Sequence, residues 1–347
     1  MLRTAAAAAA YSAAMCVLAA AGGIDGLAGP VLFLAAVAAG CLVAAVSSGA
    51  LRWSRVEGPG RVVSGDGSMG WHLGIVVLAV IVMLAAQTAA VVVAALIEQG
   101  PAEVDPAELS TVGLLAAVGT GWVGMTVAAV ATAVLLPGGL LRRWGLGGGL
   151  WRGRRSIGRG AAAGLLTLLL AGPVVIATLA LTQYLITLAG GDASEQHPVL
   201  ADMPDGGAGL LLTFIVAGVV IPFGEELLFR GLLQTGLLAV LHHVVSPPRR
   251  DYATHAEADG HLHYVTAWPP AGPPSARLRW TAIVLTSALF AVIHPDFSIA
   301  AIFVLSLAFG YVYERTGNLW APIVAHAGFN LFNLAVQTLV GTDAAAG

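Results

Sequence analysis

The chain has 347 residues, of which 58% are hydrophobic and only 10% charged, and its mean hydropathy is +0.85. A water-soluble domain of this composition would lack the polar surface to cover itself, so the composition excludes a soluble protein and points to an all-α, polytopic membrane helix bundle. The net charge is -3, and all sixteen basic residues are arginines that, Arg230 aside, gather between apolar runs, which leaves no strong nucleic-acid footprint and makes the lipid bilayer the expected partner.

Apolar spans fall near residues 4–22, 29–50, 71–97, 111–136, 161–189, 209–244, 281–294, 299–313 and 319–340. A membrane helix needs about 20 apolar residues, so the first, seventh and eighth runs are short and the sixth is long. The expected count is about eight or nine transmembrane helices. The first run, with Arg3 ahead of it, also reads as a signal peptide, although another apolar span follows almost at once. Cys16 and Cys41 lie in these N-terminal segments and read as small packed residues rather than a disulfide framework.

Arginines occupy alternate connections: Arg3; Arg52, Arg55 and Arg61; Arg142, Arg143, Arg152, Arg154, Arg155 and Arg159; then Arg249, Arg250, Arg277 and Arg279. The positive-inside rule makes those connections cytoplasmic. The intervening ones carry acids instead, among them Asp25, Glu98, Glu103, Asp192 and Asp205. Nine spans would place the N-terminus inside and the C-terminus outside. Pro222 and Gly224 interrupt the sixth run, and proline removes a backbone donor, so a kink or break is expected there. The arginine pattern favours one bent crossing over two segments. Residues 246–280 form a polar insertion in which Pro247, Pro269 and Pro273 are each followed by a second proline. With His255, His261 and His263 among its acids, it reads as a solvated cytoplasmic loop without strict metal-ligand spacing.

The chemistry is concentrated in the sixth run. Charging the middle of a membrane helix costs at least about 2.5 kcal/mol per residue, so Glu225, Glu226 and Arg230 need partners. A helix places Glu226 and Arg230 at i,i+4, within reach of an ion pair, while Glu225 points about 100° away and is left to face a polar cavity. His294 closes the seventh span, and His326 lies in the last span with Asn330 at i+4 on the same face. One such cluster can be a helix-locking network, but charged and imidazole groups on three spans together point to chemistry.

A carboxylate in a low-dielectric site is a competent base, and histidine shares or relays the proton, so Glu225 and the histidines can activate water. Asn330 and His326 can donate to an oxyanion. The same residue types can instead hold a divalent metal such as zinc on Glu225, His294 and His326, with an open position for water. No HExxH or GxSxG is present, and neither cysteine lies near the cluster, so a zincin arrangement and nucleophilic catalysis are set aside.

The segments Glu225-Glu226-Leu227-Leu228-Phe229-Arg230, Phe290 to His294 and His326 to Asn330 resemble the EExxxR, FxxxH and HxxxN motifs of the CPBP, or ABI, family of intramembrane proteases. That family includes the type II CAAX prenyl proteases and bacteriocin-processing enzymes. The likeness covers about residues 208–341, which would form the catalytic membrane domain, with residues 1–207 supplying membrane spans of unassigned role. It implies an endopeptidase acting on a membrane-associated protein or peptide, in the cytoplasmic membrane, without fixing a prenylated substrate. Carried over, Glu225 and His294 resemble the pair that activates water, His326 and Asn330 the pair that stabilises the oxyanion, and Glu226 and Arg230 their support. No cofactor is favoured, because this mechanism requires no metal. A proton-coupled transporter and a non-catalytic membrane scaffold are the rival readings. No clear internal repeat supports the former.

Overall fold

The computed structural model describes residues 68–100, 109–135, 141, 144–146, 156–190, 207–245, 274–294 and 298–345. Among these residues every regular element is helical. The helices are α1 (Ser68–Gln99), α2 (Thr111–Leu135), α3 (Ile157–Leu188), the composite α4, α5 (Ala276–Val292), α6 (Ile299–Thr316) and α7 (Trp320–Ala345). Helix α4 runs without a break from an α-helical segment at Gly207–Ile215 through a second at Ile221–Glu226 to a third at Thr235–Val245, joined by π-helical stretches at Val216–Val220 and Leu227–Gln234.

Five segments, Gly74–Gln99, Thr111–Leu135, Ile157–Leu188, Gly207–His242 and Ile299–Thr316, are long and apolar enough to cross a membrane. Ile97, Val127, Leu169 and Leu211 on these segments are each more than half exposed, an arrangement that lipid tolerates and water does not. A helix satisfies its own backbone polar groups, which is the condition for crossing hydrocarbon. The chain is therefore an integral membrane protein.

The expected eight or nine spans are not reached among the described residues, which supply seven helices and five segments of spanning length and composition. The spans expected at 4–22 and 29–50, the signal-peptide reading, Cys16, Cys41, and the histidines at 255, 261 and 263 lie outside the described residues. The seventh run starts earlier than hydropathy places it. Ser275 caps α5, its hydroxyl accepting from the Leu278 amide at 3.4 Å, so the helix begins at Ala276. Arg277 and Arg279, read as loop cations, are helical, and Arg279 is buried.

At Pro222 the chain bends its hydrogen-bond pattern instead of breaking. The π-helical turn at Val216–Val220 immediately precedes the proline and widens the helix where the ring would otherwise crowd a carbonyl one tight turn back. One continuous α4 results, as the arginine pattern favoured.

Helix α1 lies along α2, α3 packs against α6 and α7, and α5 packs against α6 and the C-terminal half of α4. Two local devices fix α7. Gly317 adopts φ 58° and ends α6 in the left-handed conformation that glycine enters without strain. Asn318 then accepts from the Trp320 amide at 3.0 Å and donates to the Ser156 carbonyl at 2.9 Å, tying the start of α7 to the start of α3. Further along this crossing the helices approach at Gly164, where a Cβ would meet the Ala321 carbonyl oxygen and lie 3.0 Å from Val324 Cβ. Without a hydrophobic driving force between helices, such close approach is what holds a membrane bundle together.

Gly164→Ala should therefore destabilise the protein by about 1–3 kcal/mol through overpacking. The same substitution at Gly74, where a Cβ would meet nothing within 4 Å, should be neutral or slightly stabilising. Thermal unfolding of both variants in detergent checks the contrast, and equal melting behaviour would refute the close crossing.

Candidate active site

Glu225 and Glu226 close the middle α-helical segment of α4, and Arg230 lies in the π-helical stretch that follows. Arg230 Nε donates to Glu226 Oε2 at 3.1 Å, with both side chains fully buried. Its other nitrogens are also committed: Nη2 donates to Ser306 Oγ at 2.6 Å and Nη1 to Gln234 Oε1 at 3.4 Å. The Phe290 ring lies 5.8 Å from the guanidinium carbon, adding a cation–π contact. The wider π turn is itself pinned, because Thr235 Oγ1 donates to the Arg230 carbonyl at 2.9 Å.

Glu226 serves two partners. One oxygen takes Arg230, and the other lies 3.0 Å from His326 Nδ1. A carboxylate facing a guanidinium is an acceptor, so Nδ1 carries the hydrogen and His326 Nε2 turns the other way. There it meets Glu225 Oε2 at 3.6 Å. Side-chain exposure separates the two halves of the cluster: Glu226 and Arg230 are at 0%, whereas Glu225 and His326 retain 9% and 5%. The support is sealed, and the Glu225–His326 edge keeps the residual exposure.

His294 follows the end of α5. Its Nδ1 lies 2.7 Å from the Phe290 carbonyl oxygen, which can only accept, so Nδ1 is the protonated nitrogen and a neutral ring keeps its lone pair on Nε2. The Phe290 ring is 4.7 Å from the His294 ring and 5.8 Å from that of His326, so one aromatic adjoins both histidines. Asn330 Nδ2 donates to the Ala217 carbonyl at 2.9 Å, inside the π-helical turn of α4. That bond uses one of two amide hydrogens.

Of the residues singled out from sequence, Glu226 joins Arg230 to His326, His326 faces Glu225, His294 adjoins His326 across Phe290, and Asn330 anchors α7 to α4. Among the described residues no three His, Cys, Asp or Glu side chains converge as a metal site.

Four buried partners carry no mark in the sequence that singles them out: Ser306, Gln234, Glu314 and Arg279. Gln234 Nε2 donates to the Gly310 carbonyl at 3.1 Å and to Glu314 Oε1 at 3.4 Å, while Arg279 Nη1 donates to Glu314 Oε2 at 2.5 Å. Glu314 and Arg279 stand at the margins of short apolar runs, where a charge passes for a surface residue. An acid one turn inside a helix end is the available signal, but its partner lies 35 residues away.

The fold and the cluster together define an integral membrane protein whose helices bury an acid–arginine–histidine cluster. Residues 207–332 match the family model described as Type II CAAX prenyl endopeptidase Rce1-like, which agrees with the family that the three motifs resemble. No curated protein and no solved structure matches the chain.

If the Glu226–Arg230 pair is desolvated as described, Glu226→Gln or Arg230→Gln alone leaves an uncompensated buried charge and should cost about 3–5 kcal/mol. The double variant should cost less than the sum. Additive losses in a thermal unfolding series would show that the pair contributes no coupling.

Proposed function

We propose that the chain is an intramembrane endopeptidase of the cytoplasmic membrane that hydrolyses a peptide bond in a membrane-associated protein or peptide. The observation that carries this reading is the facing of Glu225 Oε2 and His326 Nε2 at 3.6 Å, where the cluster keeps its residual exposure. That separation is too long for a direct hydrogen bond but lets both atoms reach one small oxygen-bearing group between them. The family match over residues 207–332 supports the reaction class.

In this reading Glu225 takes a proton from the attacking water, with His294 Nε2 as the second acceptor. Hydroxide adds to the scissile carbonyl. His326 Nε2 faces the oxyanion and donates to it while Nδ1 stays on Glu226, and Asn330 offers its second amide hydrogen. The proton then passes to the departing amine as the C–N bond breaks. Glu226 and Arg230 touch no reacting atom; they hold His326 in the orientation that aims Nε2 at the reaction.

Glu225→Gln and His294→Ala should each lower kcat by about 100-fold or more while the protein remains folded in detergent. The check is hydrolysis of a membrane-associated peptide by the purified protein, with folding followed by size-exclusion profile and melting temperature. Substantial activity in either variant removes that residue from the water-activating role. Absence of any proteolysis by the wild-type chain would favour a proton-coupled carrier or a scaffold.

Because water activation in this reading rests on Glu225 and His294 without a metal, turnover should survive exhaustive chelation, and elemental analysis of active protein should show no stoichiometric metal. The donor set supports this, since asparagine is a poor zinc ligand beside histidine and carboxylate. Stoichiometric zinc, lost in step with activity on chelation and restored by the divalent ion, would overturn the metal-free mechanism and leave the protease assignment standing.

A further inference from the structure

The guanidinium of Arg230 is held from three sides. Glu226 takes Nε, Ser306 of α6 takes Nη2, and Gln234, one turn further along α4, takes Nη1. All four side chains are fully buried. The orientation of the Gln234 amide is dictated by its surroundings: its nitrogen faces two acceptors, the Gly310 carbonyl and Glu314 Oε1, so its oxygen must face Arg230. Glu314 is fixed in turn by Arg279, whose Nε donates to the Pro274 carbonyl at 3.3 Å ahead of α5. One chain of hydrogen bonds thus runs from the start of α5 through α6 to Arg230, Glu226 and His326.

We infer that Gln234 is a positioning residue for the hydrolytic site, acting through the Arg230 guanidinium to hold Glu226 and thereby the His326 ring in the catalytic orientation. The inference rests on the endopeptidase reading for its kinetic consequence, but its structural content stands apart from it. Arginine is planar, and its fork directs each hydrogen bond. With Nη1 and Nη2 held, Nε is aimed at Glu226 Oε2, which leaves Oε1 for His326 Nδ1. Releasing Nη1 lets the guanidinium plane turn, and both bonds of Glu226 turn with it. Gly310 shows how closely this arrangement is packed: a Cβ there would lie 2.8 Å from Gln234 Oε1 and 3.4 Å from Arg230 Nη1. A misplacement of this kind lowers the chemical step and leaves substrate binding largely intact, because Gln234 touches no atom at the Glu225–His326 edge.

The test compares the wild-type full chain, Gln234→Met, Arg230→Lys and the Arg230→Lys/Gln234→Met double variant in detergent. Two readouts are taken: kcat and KM on a membrane-associated peptide, and the ring 15N resonances of His326, assigned by their loss in His326→Gln. Methionine matches glutamine in volume and offers no comparable hydrogen bond. Gln234→Met should lower kcat about tenfold or more with KM within about twofold, and should shift the His326 resonances. Lysine at 230 keeps the charge and loses the fork, so adding Gln234→Met to it should bring no further loss of kcat. An unchanged kcat, a loss that adds in full on the lysine background, or unmoved His326 resonances would overturn the inference. Should Gln234→Met not fold, Ser306→Ala, which releases Nη2, takes its place with the same two readouts, and an unchanged kcat or unmoved His326 resonances there overturn the inference equally. Where the wild-type chain cleaves nothing yet Gln234→Met shifts the His326 resonances, the positioning stands and the endopeptidase reading falls.

Discussion

A guanidinium and a carboxylate held 3.1 Å apart, both without solvent exposure, set the terms for the rest of this molecule. Removing two such charges from water costs several kcal/mol each, and their mutual attraction offsets that only when every remaining donor and acceptor is matched. The bundle goes most of the way to that condition. Arg230 finds acceptors for all three nitrogens, and Glu226 uses its second oxygen on His326. Helices α4, α6 and α7 are therefore committed to one register by polar contacts that lipid cannot replace. A slip of one turn of α6 or α7 against α4 would take Ser306 or His326 away from the pair and leave a buried polar group unmatched in a low-dielectric interior.

Backbone geometry serves the same cluster. The two π-helical stretches of α4 flank Glu225 and Glu226, one on each side. The first accommodates Pro222 and leaves the Ala217 carbonyl to take Asn330 from α7; the second carries Arg230, with its carbonyl taken by Thr235 Oγ1. Departures from the tight helical repeat of this kind recur at functional sites, because they redirect side chains without breaking the element. Small residues then allow close packing, as at Gly164, and the Asn318 link fixes the entry of α7 from which His326 projects.

The division of labour between the two glutamates depends on burial more than on chemistry, since the groups are identical. Glu226 is sealed and doubly partnered. Glu225, its neighbour in the chain, keeps residual access and faces His326 Nε2. The 100° offset between successive helical residues is enough to place one acid inside the support and the other at its edge.

Much of this was legible in the residues themselves. Composition and apolar run length determined a helical membrane bundle, because hydrocarbon admits little else. The rarity of charged and strongly polar groups within such runs drew attention to Glu225, Glu226, Arg230, His294, His326 and Asn330. Local spacing also determined the Glu226–Arg230 pair, an i,i+4 contact that any helix supplies. The contacts between distant segments were another matter. That His326 bonds Glu226 across 100 residues, that Asn330 takes the Ala217 carbonyl, and that Glu314 and Arg279 form a second buried pair were decided by the tertiary structure alone. Periodicity reports which face of a helix is apolar, but the depth and rotation of one helix against another come from packing, and only those set which polar groups meet.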